Sequence, residues 1–330
     1  MADRPSRALV VYGDGHASLV SPSHTNLHSV ASRASCGFLS LRTPPPEETE
    51  DDRAVRELAQ LLDAFDFYTA TVFQTEQHSQ ANAVVGVKES SIPRISERFM
   101  GLRAAVFSSC TGVRSFAANL GFSVFKIDGL IEKSDSSEEL QRTTDELQMA
   151  TELLRLLGFS GGDVLENFEF DIVFLHITME KAKSQKGTIV GRTDVDWLDK
   201  LVGGIVQVSQ PELAIASRLH LSIILSYGTV SETDELFSLI SNSSTETNSD
   251  LSLYRPPQSY TMKGGNPLKD VRHHHPMLFA QWQDGVTRRD MAKTFSFDEF
   301  IKHGGNLAIL ADRFLHEVAF KLWKAPKYGA

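Results

Sequence analysis

Six short runs rich in β-branched and aromatic residues punctuate the chain: ALVVY at 8–12, RAAVF at 103–107, FSVFK at 122–126, FDIVFLHI at 170–177, LHLSIILS at 219–226 and MLFAQW at 277–282. Several are apolar almost throughout, as strands covered on both faces are. Between them the apolar spacing changes to that of helices. Val55, Leu58, Leu61, Leu62 and Phe65 share one face of 53–65, and Leu198, Leu201, Val202, Ile205 and Val206 share one face of 195–207. A long helix is predicted over 136–157, with Ser136 or Ser137 as N-cap and Gly158 ending it. A last helix is predicted over 308–323. This alternation predicts an α/β fold, a mainly parallel sheet with helices on both faces.

Three stretches break the rhythm. LRTPPPEETEDD (41–52) is Pro-rich and then acidic and is expected to be an exposed loop. SNSSTETNSD (241–250) is too polar to bury enough surface for order. RPPQSYTMKGGNPLKD (255–270) reads as an extended loop with turn signals at Gly264-Gly265 and Asn266-Pro267, so 241–270 is expected to be flexible. The 330 residues are expected to form a single domain, with 70–95 a small excursion from the sheet.

The formal net charge of -9, with basic residues scattered rather than striped, argues against nucleic acid as a partner. Cys36 and Cys110 are the two cysteines, too few for a disulfide framework or a cysteine-based zinc site. The opening MADRPSRALVVYG carries charge where a secretory leader needs an apolar core, and no run is long enough to span a bilayer. Together these predict a cytoplasmic protein with no membrane partner.

Sites in parallel sheets lie beyond the carboxyl ends of strands. The first strand finishes as VVYGDGHASL, followed by SHTNLHSVASRASCGFL (23–39), which resembles the opening of alkaline-phosphatase-superfamily enzymes: a strand ending in Asp-Gly, then a helix start that Thr25, Asn26 and Leu27 match, with the helix running to Gly37. A narrower likeness is to the archaeal-type cofactor-independent phosphoglycerate mutases. SIPRISERFMGLRAAVFSSCTGVRSFAANLGFSVFKIDG (91–129), FDIVFLHITMEKAKSQKG (170–187), DVDWLDKLVGGIVQ (194–207), LHLSIILSYGTVSE (219–232), HHHPMLFAQW and FSFDEFIKHGGNLAILADRFL (295–315) are similar to that family's segments, in the family's order. The resemblance implies an alkaline-phosphatase-like fold and a reaction that interconverts 2- and 3-phosphoglycerate through a phosphoserine and two divalent metals. Those metals would be manganese or zinc, which suit oxygen and imidazole donors.

Most of that machinery is altered here. Asp14 is the retained candidate metal ligand, with a turn residue in Gly-Asp-Gly as the competing reading. Glu180 stands for a ligand Asp, with Ser184 where a His belongs. Tyr227 and Gly228 replace an Asp-His pair and offer neither an anion nor an imidazole at neutral pH. His273, His274 and His275 lie near the last ligand histidine, His273 being the candidate, but neighbours in an extended segment face alternate sides. No catalytic residue is assigned: where the nucleophilic serine belongs, in DDRAVRELAQLLDAFDF (51–67), stands Asp51 or Asp52. The lid domain with its arginine run is largely missing, since only about 25 residues separate Tyr68 from Arg94. Arg94, Arg98 and Arg103 read as surface residues. FSGGD (159–163) lacks the rest of a nucleotide loop, no GxSxG elbow occurs, and Cys110 reads as a buried small apolar residue.

The expectation is therefore a phosphoglycerate-mutase-like pseudoenzyme that binds a small phosphorylated acid or a protein partner. The alternative is an active metal-dependent phosphatase or mutase using Asp14, Glu180 and a histidine of 273–275.

Overall fold

The computed structural model describes residues 6–45, 47–71, 93–127, 138–179, 191–210, 213–230, 262–263, 266–267, 270–272, 274–305 and 307–326. Eight strands form one sheet: β1 (Arg7–Asp14), β2 (Ser35–Ser40), β3 (Ala104–Ser108), β4 (Ser123–Phe125), β5 (Ile172–Thr178), β6 (Leu219–Leu225), β7 (Met277–Trp282) and β8 (Ala308–Leu310). Their spatial order is β8-β2-β7-β6-β1-β5-β3-β4. All neighbours run parallel except β7, which is antiparallel to both β2 and β6. β1 is central, flanked by β5 and β6, and every residue of all three strands is buried except Thr178 at the end of β5.

Because successive side chains of a strand point to opposite faces, β1 feeds two separate cores. Leu9 and Val11 pack with α1 (Thr25–Arg33), the long α5 (Glu138–Leu156), α6 (Gly191–Val208) and α7 (Phe297–His303). Ala8, Val10 and Tyr12 pack with α2 (Glu50–Leu61), α3 (Ile95–Arg98), α4 (Thr111–Asn119) and α8 (Phe314–Lys321). The predicted helix–sheet–helix sandwich is present, and all six predicted strands form.

Several boundaries are corrected. The first helix stops at Arg33 instead of reaching Gly37, and SCGFLS becomes the inner strand β2. Serine and glycine give that hexapeptide little strand preference of its own; its pairing with β7 and β8 decides its state. Likewise Ala308–Leu310 is an edge strand rather than the start of the last helix, which begins at Phe314 after a 3-10 turn. The helix predicted at 53–65 spans Glu50–Leu61, starting on the Thr49 cap and breaking where Asp63 takes φ of 51°. Its first turn thus absorbs the end of the predicted acidic loop. Within 255–270, Met262–Lys263 pairs antiparallel with Asn266–Pro267, bracketing the predicted Gly264-Gly265 turn. The expectations for 72–92 and 241–250 lie outside the described residues.

Phe174, fully buried on β5, meets Phe122 and Phe314 edge-on. Phe174→Ala is expected to lower unfolding free energy by about 3–5 kcal/mol, the range for an aromatic removed from a packed core, read as a lower urea midpoint with unchanged slope.

A buried carboxylate clamped by an arginine

The parallel strands deliver their carboxyl ends to one edge of the sheet, where β1 ends in Asp14, 3% exposed. The loop after β6 closes on it. Gly15 donates its N–H to Ser226 Oγ at 3.1 Å, and Ser226 Oγ donates to Asp14 Oδ1 at 3.0 Å. This closeness requires glycine twice. Gly15 has φ of 83° and Gly228 φ of 72°, and a Cβ on Gly228 would lie 3.3 Å from the Gly15 Cα.

Across from Asp14 stands the second turn of α2. Thr49 caps that helix by accepting from the Asp52 N–H, and Glu50, Asp51 and Asp52 suit its positive end. The capped helix aims Arg53 at β1. Arg53 Nη1 donates to Asp14 Oδ1 at 2.7 Å and Nη2 to Oδ2 at 3.0 Å, a fork-to-fork pair. The same guanidinium reaches Glu57 Oε2 at 3.1 Å and Glu50 Oε1 at 2.9 Å. Glu57 Oε2 also accepts from the Tyr12 hydroxyl at 2.9 Å. One cation thus gathers three carboxylates, two of them buried.

The electrostatics follow from that crowding. Burial by itself would raise the Asp14 carboxyl, but His176 and the charge and hydrogen bonds of Arg53 outweigh it and hold Asp14 well below the usual carboxylate range. Glu57, fully buried, goes the other way: desolvation raises it despite Arg53. The Tyr12 phenol is raised by burial and then by Asp14 and Glu57. Burial would lower Arg53, yet Glu57 and Asp14 reverse the sign and secure its charge.

His176 on β5 completes the cluster. Its Nε2 lies 3.5 Å from Asp14 Oδ2, long for a hydrogen bond, and its Nδ1 lies 2.8 Å from Ser108 Oγ. Ser108, His176 and Asp14 therefore form a line, but Ser108 and His176 are fully buried, so no substrate bond reaches that hydroxyl. What opens to solvent is a cavity of about 350 Å³ walled by Asp14, Asp51, Arg53, Ser109, Cys110 and Thr178. Cys110 is half-buried at the start of α4 rather than enclosed in the core, because its strand has already ended at Ser108.

Of the residues singled out in the sequence, Asp14, Asp51 and Cys110 meet at this cavity. Glu180 and His273 lie outside the described residues. His275 is buried with φ of 46°, its ring edge-on to Tyr227 with centroids 5.0 Å apart, and His274 Nδ1 lies 3.1 Å from His275 Nδ1. Arg98 pairs with Asp63 and Arg103 with Asp171, while Arg94 starts α3.

Among the described residues, the donors around Asp14 do not suit the manganese or zinc that the family resemblance implies. Both Asp14 oxygens already accept from a guanidinium, and a dication there would sit against a fixed positive charge. Among the described residues no group of three or more His, Cys, Asp or Glu side chains is placed to share an ion.

The fold has solved counterparts. The chain is similar to PH0037 protein from Pyrococcus horikoshii, at 13% identity and a TM-score of 0.53, over 99% of each chain. It is also similar, at 9% identity and a TM-score of 0.42, to the cofactor-independent phosphoglycerate mutase from Thermoplasma acidophilum DSM 1728, over 96% of this chain and 99% of that one. A protein in the alkaline phosphatase superfamily from Vibrio parahaemolyticus matches at 9% identity and a TM-score of 0.44, over 86% of this chain and 61% of that one. At such identities the likeness concerns the fold alone. No family's sequence model matches the chain, and no curated protein matches it.

Arg53 was the residue sequence reasoning missed. Its signal was faint: Arg53, Arg56, Glu57 and Gln60 are all buried in α2, so charged positions border the apolar stripe on its inner side. Arg53→Met leaves two buried carboxylates without their cation and is expected to cost about 3–5 kcal/mol, checked by urea unfolding at neutral pH. The pH response has a definite sign. A carboxyl whose folded pKa is depressed contributes stability that is present above the unfolded value, about 3.9, and lost as pH falls through the folded one. Glu57, raised, acts oppositely. The stability difference between the parent and Asp14→Asn should therefore shrink as the pH falls from about 6 to about 2, roughly 2 units either side of that onset; a constant difference would remove the ion pair from the account.

Proposed function

We propose that this chain is a phosphoglycerate-mutase-like protein of the alkaline phosphatase superfamily that lacks metal-dependent mutase activity and acts as a binding or regulatory protein. The observation that carries the reading is the pair between Asp14 and Arg53. In the resembled family a carboxylate at this strand end holds a metal ion; here a guanidinium supplies the positive charge instead. A guanidinium has no vacant coordination position, so it neutralises and orients but cannot activate a hydroxyl for attack.

The surroundings support the same reading. The position resembling the nucleophile carries Asp51 or Asp52, and Asp51 brings a carboxylate to the cavity wall that repels a phosphoryl group. Tyr227 and Gly228 stand where two further ligands belong. The cavity remains open, with Ser109, Thr178 and the Cys110 thiol offered to a ligand. Cys36 and Cys110 are both free, as suits a reducing, cytoplasmic setting. No helix among the described residues is long and apolar enough to cross a membrane.

Metal analysis tests the proposal. Protein purified without chelators is expected to carry well under one equivalent of manganese or zinc, and added manganese should neither raise the melting temperature nor give phosphoglycerate interconversion. Near-stoichiometric metal that disappears in Asp14→Ala would overturn it in favour of the active metalloenzyme.

A further inference from the structure

A second cavity, about 210 Å³, opens beside the first at the same edge of the sheet, walled by Pro44, Glu48, Arg53, Arg56, Thr229 and Arg272, so that one carboxylate stands among its arginines. Three arginines border it, and they are not equivalent. Arg53 is shared by Asp14, Glu50 and Glu57. Arg56 is matched by Glu48, its Nε and Nη2 donating to the two carboxylate oxygens at 2.6 and 3.0 Å.

Among the described residues Arg272 has no such partner. It is 5% exposed, and its Nε and Nη2 donate to the carbonyls of His274 and His275 at 3.0 and 2.8 Å. Those carbonyls fix the plane of the guanidinium but carry no net charge. Among the described residues no carboxylate lies within ion-pair distance of it; Glu57 and Glu48 act on it only through space. Burial accordingly pulls the Arg272 pKa down, as expected of a cation lacking a counter-ion. Holding an unmatched charge away from water is costly unless something compensates it. Its position on a cavity wall makes that compensation available from outside.

We infer that the cavity bounded by Arg56, Thr229 and Arg272 is a binding site for a small oxyanion, taken up by guanidinium groups without a metal. The inference rests on the proposed metal-free reading of the neighbouring site. A planar guanidinium fork matches the oxygens of a phosphate or carboxylate group, and the small volume limits the occupant to such a group or the end of a molecule that carries it. Pro44 gives one wall little freedom, and Gly228, held against Gly15, fixes the backbone from which Thr229 projects.

Titration of the full chain with inorganic phosphate and, separately, with malonate decides the matter. Calorimetry in low-salt buffer stripped of metal on a chelating resin is the readout. Saturable binding of at least one anion is expected, and the tighter one identifies the headgroup. Arg272→Met should weaken it by about tenfold or more, the loss of one charge-assisted contact. Should that variant fold poorly, an arginine-specific dicarbonyl reagent on the unaltered chain gives a second readout: the saturating anion should slow labelling of Arg272 while leaving Arg103, at the opposite edge of the sheet, unchanged. No saturable binding, or binding and labelling indifferent to Arg272, overturns the site. If metal analysis finds the protein metal-free yet neither anion binds, only this inference falls; if binding appears only with added manganese, the metal-free reading falls with it.

Discussion

The site end of the molecule depends on neutralising a carboxylate at the end of the central strand. β1 is buried along its whole length, so Asp14 leaves it already desolvated, at a point where several strand ends and their loops converge. An ionised carboxylate cannot remain there without a counter-charge. Arg53 supplies it, and the supply sets further requirements. α2 must start where it does, so Thr49 caps it; the surplus negative charge must be accommodated, so Tyr12 donates to Glu57; and Ser226 must approach, so glycines occupy positions 15 and 228. Sheet, helix cap and loop are tied together through one ion pair. A guanidinium and a metal ion both satisfy the charge, but only the metal brings Lewis acidity. That distinction underlies the functional reading.

The fold was largely legible because its strands are buried on both faces. Continuous apolar runs such as FDIVFLHI mark such strands without any knowledge of their partners. What the sequence hid were elements held by their neighbours. SCGFLS has little strand character of its own and is a strand because β7 and β8 hydrogen-bond to its two edges. AIL at 308–310 fits a helical pattern equally well and is an edge strand because β2 accepts it. In both cases tertiary pairing overrode weak local preference.

The site was half legible for a related reason. Asp14 stood out because a polar residue closing an apolar run is visible locally. Arg53 did not, since its role depends on which face of α2 meets the sheet, and the charges of that helix read as solvent-facing. Cys110 was expected to be buried and is half-buried, because how fully a residue just past a strand is covered depends on packing that the sequence does not show. Arg272 was out of reach, because its significance is burial on a cavity wall away from any described carboxylate, which exists only in three dimensions.

The reversed strand β7 has a consequence of its own. In a parallel sheet each strand contributes to the active edge only the residues that follow it. β7 runs the other way, so it contributes those that precede it, Arg272, His274 and His275. The connection from β6 to β7 therefore both departs from and returns to the same rim. Insertions, deletions or drift within that long segment can therefore reshape the rim while the hydrogen-bonded framework underneath is untouched.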